Sequence, residues 1–167
     1  MPTRTLFAAL LASAALSIGS LANAAPQGAT PGPAAERHSH EHGHGAAKLS
    51  LDHGKRWATD APLRKGMSGI RSEMLRSAKA IHAGKLAPAG YEALAARIET
   101  QIAQIVADCK LAPAADEQLH LVIAQLGEGV DAMKHGEHRD KGAEAVIAAL
   151  NDYGHHFEHP GWKAIRH

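Results

Sequence analysis

Cysteine is almost absent from this chain, which has a single one, Cys109. One cysteine cannot form a disulfide within the chain, build a thiolate-rich zinc or copper centre, or supply the Cys-x-x-Cys-His sequence that attaches haem covalently. On the apolar stripe of a predicted second helix, Cys109 is expected to be a buried, inert small hydrophobe. Metal or haem ligands would therefore have to be other side chains.

Aromatic residues make up only 4% of the sequence, so Leu, Ile, Val, Ala and Met must form the core. The formal net charge at pH 7 is +1, which gives no strongly basic face for nucleic acid or acidic lipid. No nucleophile motif, glycine-rich phosphate loop or patterned carboxylate pair is recognisable. The sequence therefore predicts a protein that is not an enzyme.

Long apolar runs are confined to the first 24 residues. Arg4 precedes an apolar run over 6–21, and small residues stand at positions 22 and 24. This three-part pattern is typical of a cleaved signal peptide, and no stop-transfer segment follows it. The sequence predicts a signal peptide over 1–24, a periplasmic mature protein, and no membrane span in the mature chain.

Histidine, in contrast, is abundant, with 13 in the chain. Residues 25–49 are rich in Pro, Gly, Ala and His without apolar periodicity, which predicts a disordered arm. Its HSHEHGHG sequence has an imidazole at every second position: His38, His40, His42 and His44. Such closely spaced imidazoles suit Cu, Zn, Ni or Co, and the identity of the ion is left open. The alternative interpretation is a linker without a task.

Residues 50–167 predict one helical domain. Apolar residues recur at three- and four-residue steps in four stretches joined by short loops, and no strand-like alternation is present. Glycine or proline marks the expected helix starts and ends: Gly84, Pro88, Pro113 and Pro160. The pattern predicts an all-α, antiparallel up-down-up-down four-helix bundle.

Two short stretches, LRKGM near residue 65 and LNDYGHH ending at His156, resemble segments of the soluble periplasmic b-type cytochromes. Those proteins are exported four-helix bundles that bind haem b without covalent attachment. The resemblance implies Met67 and His156 as axial ligands and electron transfer as the function. Helical periodicity, however, directs Gly154 inward and His156 to a flank. A bend at Gly154 would rotate His156 inward, and the glycine would leave space for a flat ligand.

A second resemblance rests on the motifs CKLAPAADEQLH and YGHHFEHPGW. They are similar to motifs of small, uncharacterised exported proteobacterial proteins. This resemblance implies export and no particular activity.

The end of the fourth predicted helix also suggests a second metal site. If that helix continues to Pro160, His155 and His159 are spaced i,i+4 on its outward half, where two imidazoles can chelate one divalent ion. His156 shares this half, and Asp152 can add a carboxylate. The alternative is a solvated helix end whose histidines interact favourably with the helix dipole.

Binding or buffering of transition metals by an exported bundle is the favoured function, with metal ions and a periplasmic protein as the candidate partners. A haem b electron-transfer protein is the first alternative. The second is a structural bundle that binds a partner protein without metal, which would require an exposed apolar patch near Leu121.

Overall fold

A computed structural model describes residues 48–166. The predicted signal peptide and the histidines of the predicted arm (His38, His40, His42 and His44) lie outside the described residues. Within the described range there are four α-helices and no β-strand, which confirms the predicted all-helical fold. The helices are α1 (Ala61–His82), α2 (Pro88–Asp108), α3 (Pro113–His135) and α4 (Arg139–His156).

Helices α1, α2 and α3 each begin with proline in the first turn, where the missing N–H costs nothing. Asp60 caps α1 by accepting a hydrogen bond from the N–H of Leu63 at 2.8 Å. Its other oxygen accepts one from the N–H of Lys110 at 2.7 Å, which joins the start of α1 to the end of α2. Burial alone would raise the pKa of Asp60, but these hydrogen bonds outweigh it and hold the pKa below its ordinary value.

The buried residues form one core, to which all four helices contribute their apolar stripes. Each helix contacts the next in sequence, and α4 also contacts α1, as expected for a four-helix bundle. Helices α3 and α4 pack closely where the glycines Gly129 and Gly142 face each other. A Cβ on Gly129 would lie 2.9 Å from the carbonyl oxygen of Gly142, so only glycine permits this backbone separation.

Helix α4 ends at His156, earlier than the predicted stop at Pro160. Phe157 is extended and its backbone pairs with Trp57: the N–H of Trp57 donates to the carbonyl of His156, and the N–H of Glu158 donates to the carbonyl of Trp57, both at 2.8 Å. The prediction that α4 continues to Pro160 is therefore wrong. Proline disfavours helical geometry in the residue that precedes it, here His159. The segment around Trp57 supplies other hydrogen-bond partners for the backbone of His156 and Glu158.

Two other predictions concern the surface. None of the described helices is both long and apolar enough to cross a membrane. Leu121 is partly buried and lies in a groove, whereas the large apolar side chains that are exposed in the described part are Leu51, Leu75 and Val106. Leu121 is therefore less exposed than expected, because the chain N-terminal to α1 packs beside α3, and partner binding near it stays a prediction.

Candidate metal-binding groove

His156, the last residue of α4, is held by its own helix. Its Nδ1 lies 2.8 Å from the carbonyl oxygen of Asp152, one turn earlier. A carbonyl only accepts hydrogen bonds, so Nδ1 carries the proton and Nε2 keeps its lone pair. Nε2 has no hydrogen-bond partner among residues 48–166. This is the form in which histidine binds metals, commonly with Nδ1–H donating to a carbonyl.

The ring of His156 lines a groove of about 400 Å³ between α3 and α4, which we call the His156 groove. Its apolar side chains come from α3 and from the chain before α1, and its polar side chains include two carboxylates. The lining residues are Lys48, Leu49, Leu121, Ala124, Gln125, Glu128, Asp152 and His156. An imidazole and two carboxylates are donors that borderline and hard divalent cations accept.

Gln125 lines this groove and carries an unsatisfied acceptor that is enclosed by protein atoms. Its Oε1 is buried and has no hydrogen-bond partner among the described residues. A buried polar atom left unpaired costs roughly 1–3 kcal/mol. Within residues 48–166, the residues of the His156 groove therefore include an imidazole nitrogen without a hydrogen-bond partner and an enclosed, unpaired amide oxygen.

Hydrogen bonds and packing fix the segment before α1 beside this groove. The N–H of Ser50 donates to Oε1 of Gln118 on α3 at 2.7 Å, and Trp57 Nε1 donates to the carbonyl of Ser50 at 2.6 Å. Leu49 packs against the core. These contacts hold Lys48, the first described residue, at the edge of the groove.

His159 lies apart from the groove in an aromatic cluster. The hydroxyl of Tyr153 lies 2.9 Å from its Nδ1, and Ser68 Oγ lies 3.3 Å from its Nε2. Its ring packs on Trp162 with centroids 4.9 Å apart. Burial, and then the positive charge of Arg64, lower the pKa of His159. Both nitrogens are engaged, and this histidine is structural in its contacts.

The three candidate ligands on α4 are thus not brought together. His155 is exposed, His156 faces the groove, and His159 lies beyond the helix in the aromatic cluster, so the expected i,i+4 pair on one helix does not form. No group of three or more His, Cys, Asp or Glu within 48–166 is arranged to hold a metal ion. A three-ligand site at His156 would need donors from another part of the chain.

The residues do not fit a haem between Met67 and His156. Met67 is fully buried in the core and does not line the His156 groove. The space beside Gly154 is filled by Trp162, whose indole would lie 2.3 Å from a Cβ at that position. The flat group that Gly154 admits is therefore the chain's own tryptophan.

Cys109 lies just beyond α2, not within it, and is partly buried. Burial, the negative charges of Asp60 and Asp116, and a hydrogen bond with Asp60 raise the pKa of its thiol to about 12. The thiol is protonated at neutral pH and is a poor metal ligand or nucleophile. Nearby His120 repeats the geometry of His156, with Nδ1 2.9 Å from the carbonyl of Asp116, but lines a different pocket.

Comparisons with protein-family models, with curated proteins and with solved structures find no match to this chain. Its function has to be inferred from the arrangement of its own side chains. Gln125 and Glu128 were not recognisable as groove residues from the sequence, because their position depends on how α3 lies against α4.

Proposed function

We propose that the protein binds and buffers divalent transition metals, namely Cu, Zn, Ni or Co, in the periplasm after removal of a signal peptide over 1–24. The principal ligands in this proposal are His38, His40, His42 and His44. His156 adds a ligand on the helical domain, which we take to have up-down-up-down topology. The observation that carries the proposal is that Nε2 of His156 has no hydrogen-bond partner within residues 48–166, in a residue that lines a groove with two carboxylates.

Chain length supports a contribution of His44 to binding at His156. His44 precedes Lys48 by four residues, and an extended chain of that length spans roughly 14 Å. Lys48 itself lines the His156 groove. A metal held by His156 is therefore within reach of the imidazole of His44, and the carboxylates of Asp152 and Glu128 lower the local potential for a cation.

Imidazole ligands determine how metal binding should depend on pH and on the kind of ion. Imidazoles must be neutral to bind, so metal uptake releases protons and weakens as the pH falls below about 6.5. Among divalent ions, copper should bind most tightly, in keeping with the usual order for nitrogen donors. A ligand set without preset geometry exchanges metal readily, which suits buffering.

The test is metal titration of the mature full-length chain, purified without a nickel column, combined with elemental mass spectrometry. Replacing His38, His40, His42 and His44 together by alanine should remove most of the bound metal. An unchanged stoichiometry would show that this segment is only a linker. The visible spectrum of the same sample tests the haem alternative, which requires a Soret band.

The role of the groove is tested separately by His156→Ala, with His120→Ala as the matched control because both histidines donate to a carbonyl four residues earlier. His156→Ala should weaken binding of the most tightly held ion by about tenfold, because the substitution removes one metal ligand. His120→Ala should leave it unchanged. Equal effects of the two substitutions would remove the groove from the proposal.

A further inference from the structure

A second cleft of the described chain contains no residue of the proposed metal site. It has a volume of about 650 Å³ and lies between the turn joining α1 to α2 and the first turns of α4. This volume is in the usual range of small-molecule sites, roughly 300–1,000 Å³. Its apolar lining includes Ile81, Leu86 and Ile147.

The polar lining is mainly acidic. Glu137, Asp140 and Glu144 face the cleft, against one permanent cation, Arg139. The guanidinium of Arg139 is already occupied: it donates to the carbonyl of Met133 at 2.6 Å and pairs with Glu92 at 3.3 Å.

Of the three acids, Glu144 pairs with Lys141 at 2.8 Å. Glu137 and Asp140 form no ion pair with any residue in 48–166. His82 and Tyr91 are the other titratable residues that line the cleft, and His82 is exposed. At neutral pH the cleft therefore favours cations over anions.

Tyr91 independently points to a ligand. The residue is 6% exposed, yet its hydroxyl has no hydrogen-bond partner among the described residues. The hydroxyl oxygen is not among the fully enclosed unpaired polar atoms of residues 48–166, so it is accessible from outside the core. Tyr91 also lines the cleft. Burial, and then the charge of Asp140, raise the pKa of Tyr91, which keeps the hydroxyl protonated.

We propose that this cleft binds a small organic ammonium ion with an apolar body. The ammonium group interacts with Asp140 and Glu137, and the apolar body packs on Ile81, Leu86 and Ile147. The hydroxyl of Tyr91 accepts or donates one hydrogen bond at the polar end of the ligand. This site is separate from the proposed metal ligands, so either proposal can fail alone.

Calorimetric titration of the full mature chain with phenethylammonium tests the proposal. Two probes of similar shape provide the comparison: uncharged 2-phenylethanol and anionic 3-phenylpropanoate. Phenethylammonium should bind in the millimolar range or tighter, and the other two at least about tenfold more weakly. Equal binding of the alcohol, or no binding of the ammonium ion at millimolar concentration, would overturn the proposal.

Variants locate the site. Asp140→Asn should weaken phenethylammonium binding about tenfold through loss of a charged hydrogen bond, and Tyr91→Phe should weaken it about threefold while keeping the ring in the core. Glu128→Gln in the His156 groove is the matched control and should have no effect. Circular dichroism verifies that each variant remains helical. Binding that is insensitive to both cleft substitutions would place the ammonium ion elsewhere and contradict the proposal.

Discussion

His156 and His159 are three residues apart and both are partly buried, yet their surroundings differ completely. One nitrogen of His156 donates to a carbonyl of its own helix, and the other has no hydrogen-bond partner within residues 48–166, where the residue lines a groove. Both nitrogens of His159 have side-chain partners, and its ring packs on Trp162. The comparison shows that the number of satisfied ring nitrogens, and not the spacing of histidines, distinguishes a candidate ligand from a structural residue.

The difference originates in the backbone. His156 is still helical, so its ring reaches the carbonyl one turn earlier. His159 follows the helix and begins a turn in which Gly161 adopts a φ of 78°, a conformation that favours glycine. That turn places Trp162 on Gly154, and the tail is fixed further on by two hydrogen bonds between Asn151 and the backbone of Ile165.

Removing Trp162 should disrupt the aromatic cluster around His159 and leave the His156 groove unchanged. Trp162→Ala is expected to lower the free energy of unfolding by about 3 kcal/mol, because the indole packs on Gly154, Tyr153 and His159. Chemical denaturation measures this change, and metal titration of the folded variant should match the unmodified protein. A loss of metal affinity equal to that of His156→Ala would mean that the two sides are not separate.

His159→Ala should have a smaller effect of the same kind. The substitution leaves the hydroxyl of buried Tyr153 without its partner and removes packing on Trp162, which should cost about 2 kcal/mol of unfolding free energy. His155→Ala, at an exposed position, is the control and should change stability by less than about 0.5 kcal/mol. If His159→Ala instead removed bound metal while stability stayed constant, His159 would be a ligand after all.

The smallest expected effect is a pH dependence of stability that comes from His159. Its folded-state pKa lies below the ordinary value of 6.5, so the unfolded chain binds the proton more readily. The stabilisation is complete well above pH 6.5 and is lost as the pH falls through 6.5 towards the lower folded-state pKa. Denaturation between pH 8 and 5 should show a steeper acid loss in the unmodified protein than in His159→Ala, and parallel curves would contradict the assignment.

Local sequence patterns predicted the helices well. Prolines do begin α2 and α3, and the stripe of Leu63, Met67, Ile70 and Met74 is fully or almost fully buried. These features depend on helical periodicity and on the missing N–H of proline, both of which act within a few residues. The antiparallel topology, the signal peptide and the metal ligands of the arm remain predictions.

Features that require contacts between distant segments were not predictable. The end of α4 depends on backbone pairing with Trp57, about a hundred residues earlier in the chain, and the placement of His159 depends on Ser68 of α1. The cleft at Tyr91 forms only because the α1–α2 turn lies beside the start of α4.

The sequence by itself therefore determined an all-helical domain with four helices, their apolar faces and a histidine-rich composition, because periodicity and helix-starting residues are local properties. Only the tertiary structure decided which ring nitrogens and hydroxyls are paired among residues 48–166 and what fills the space at Gly154. The physical reason is that hydrogen-bond satisfaction depends on which groups from other segments arrive within about 3 Å, and no spacing along one helix specifies them.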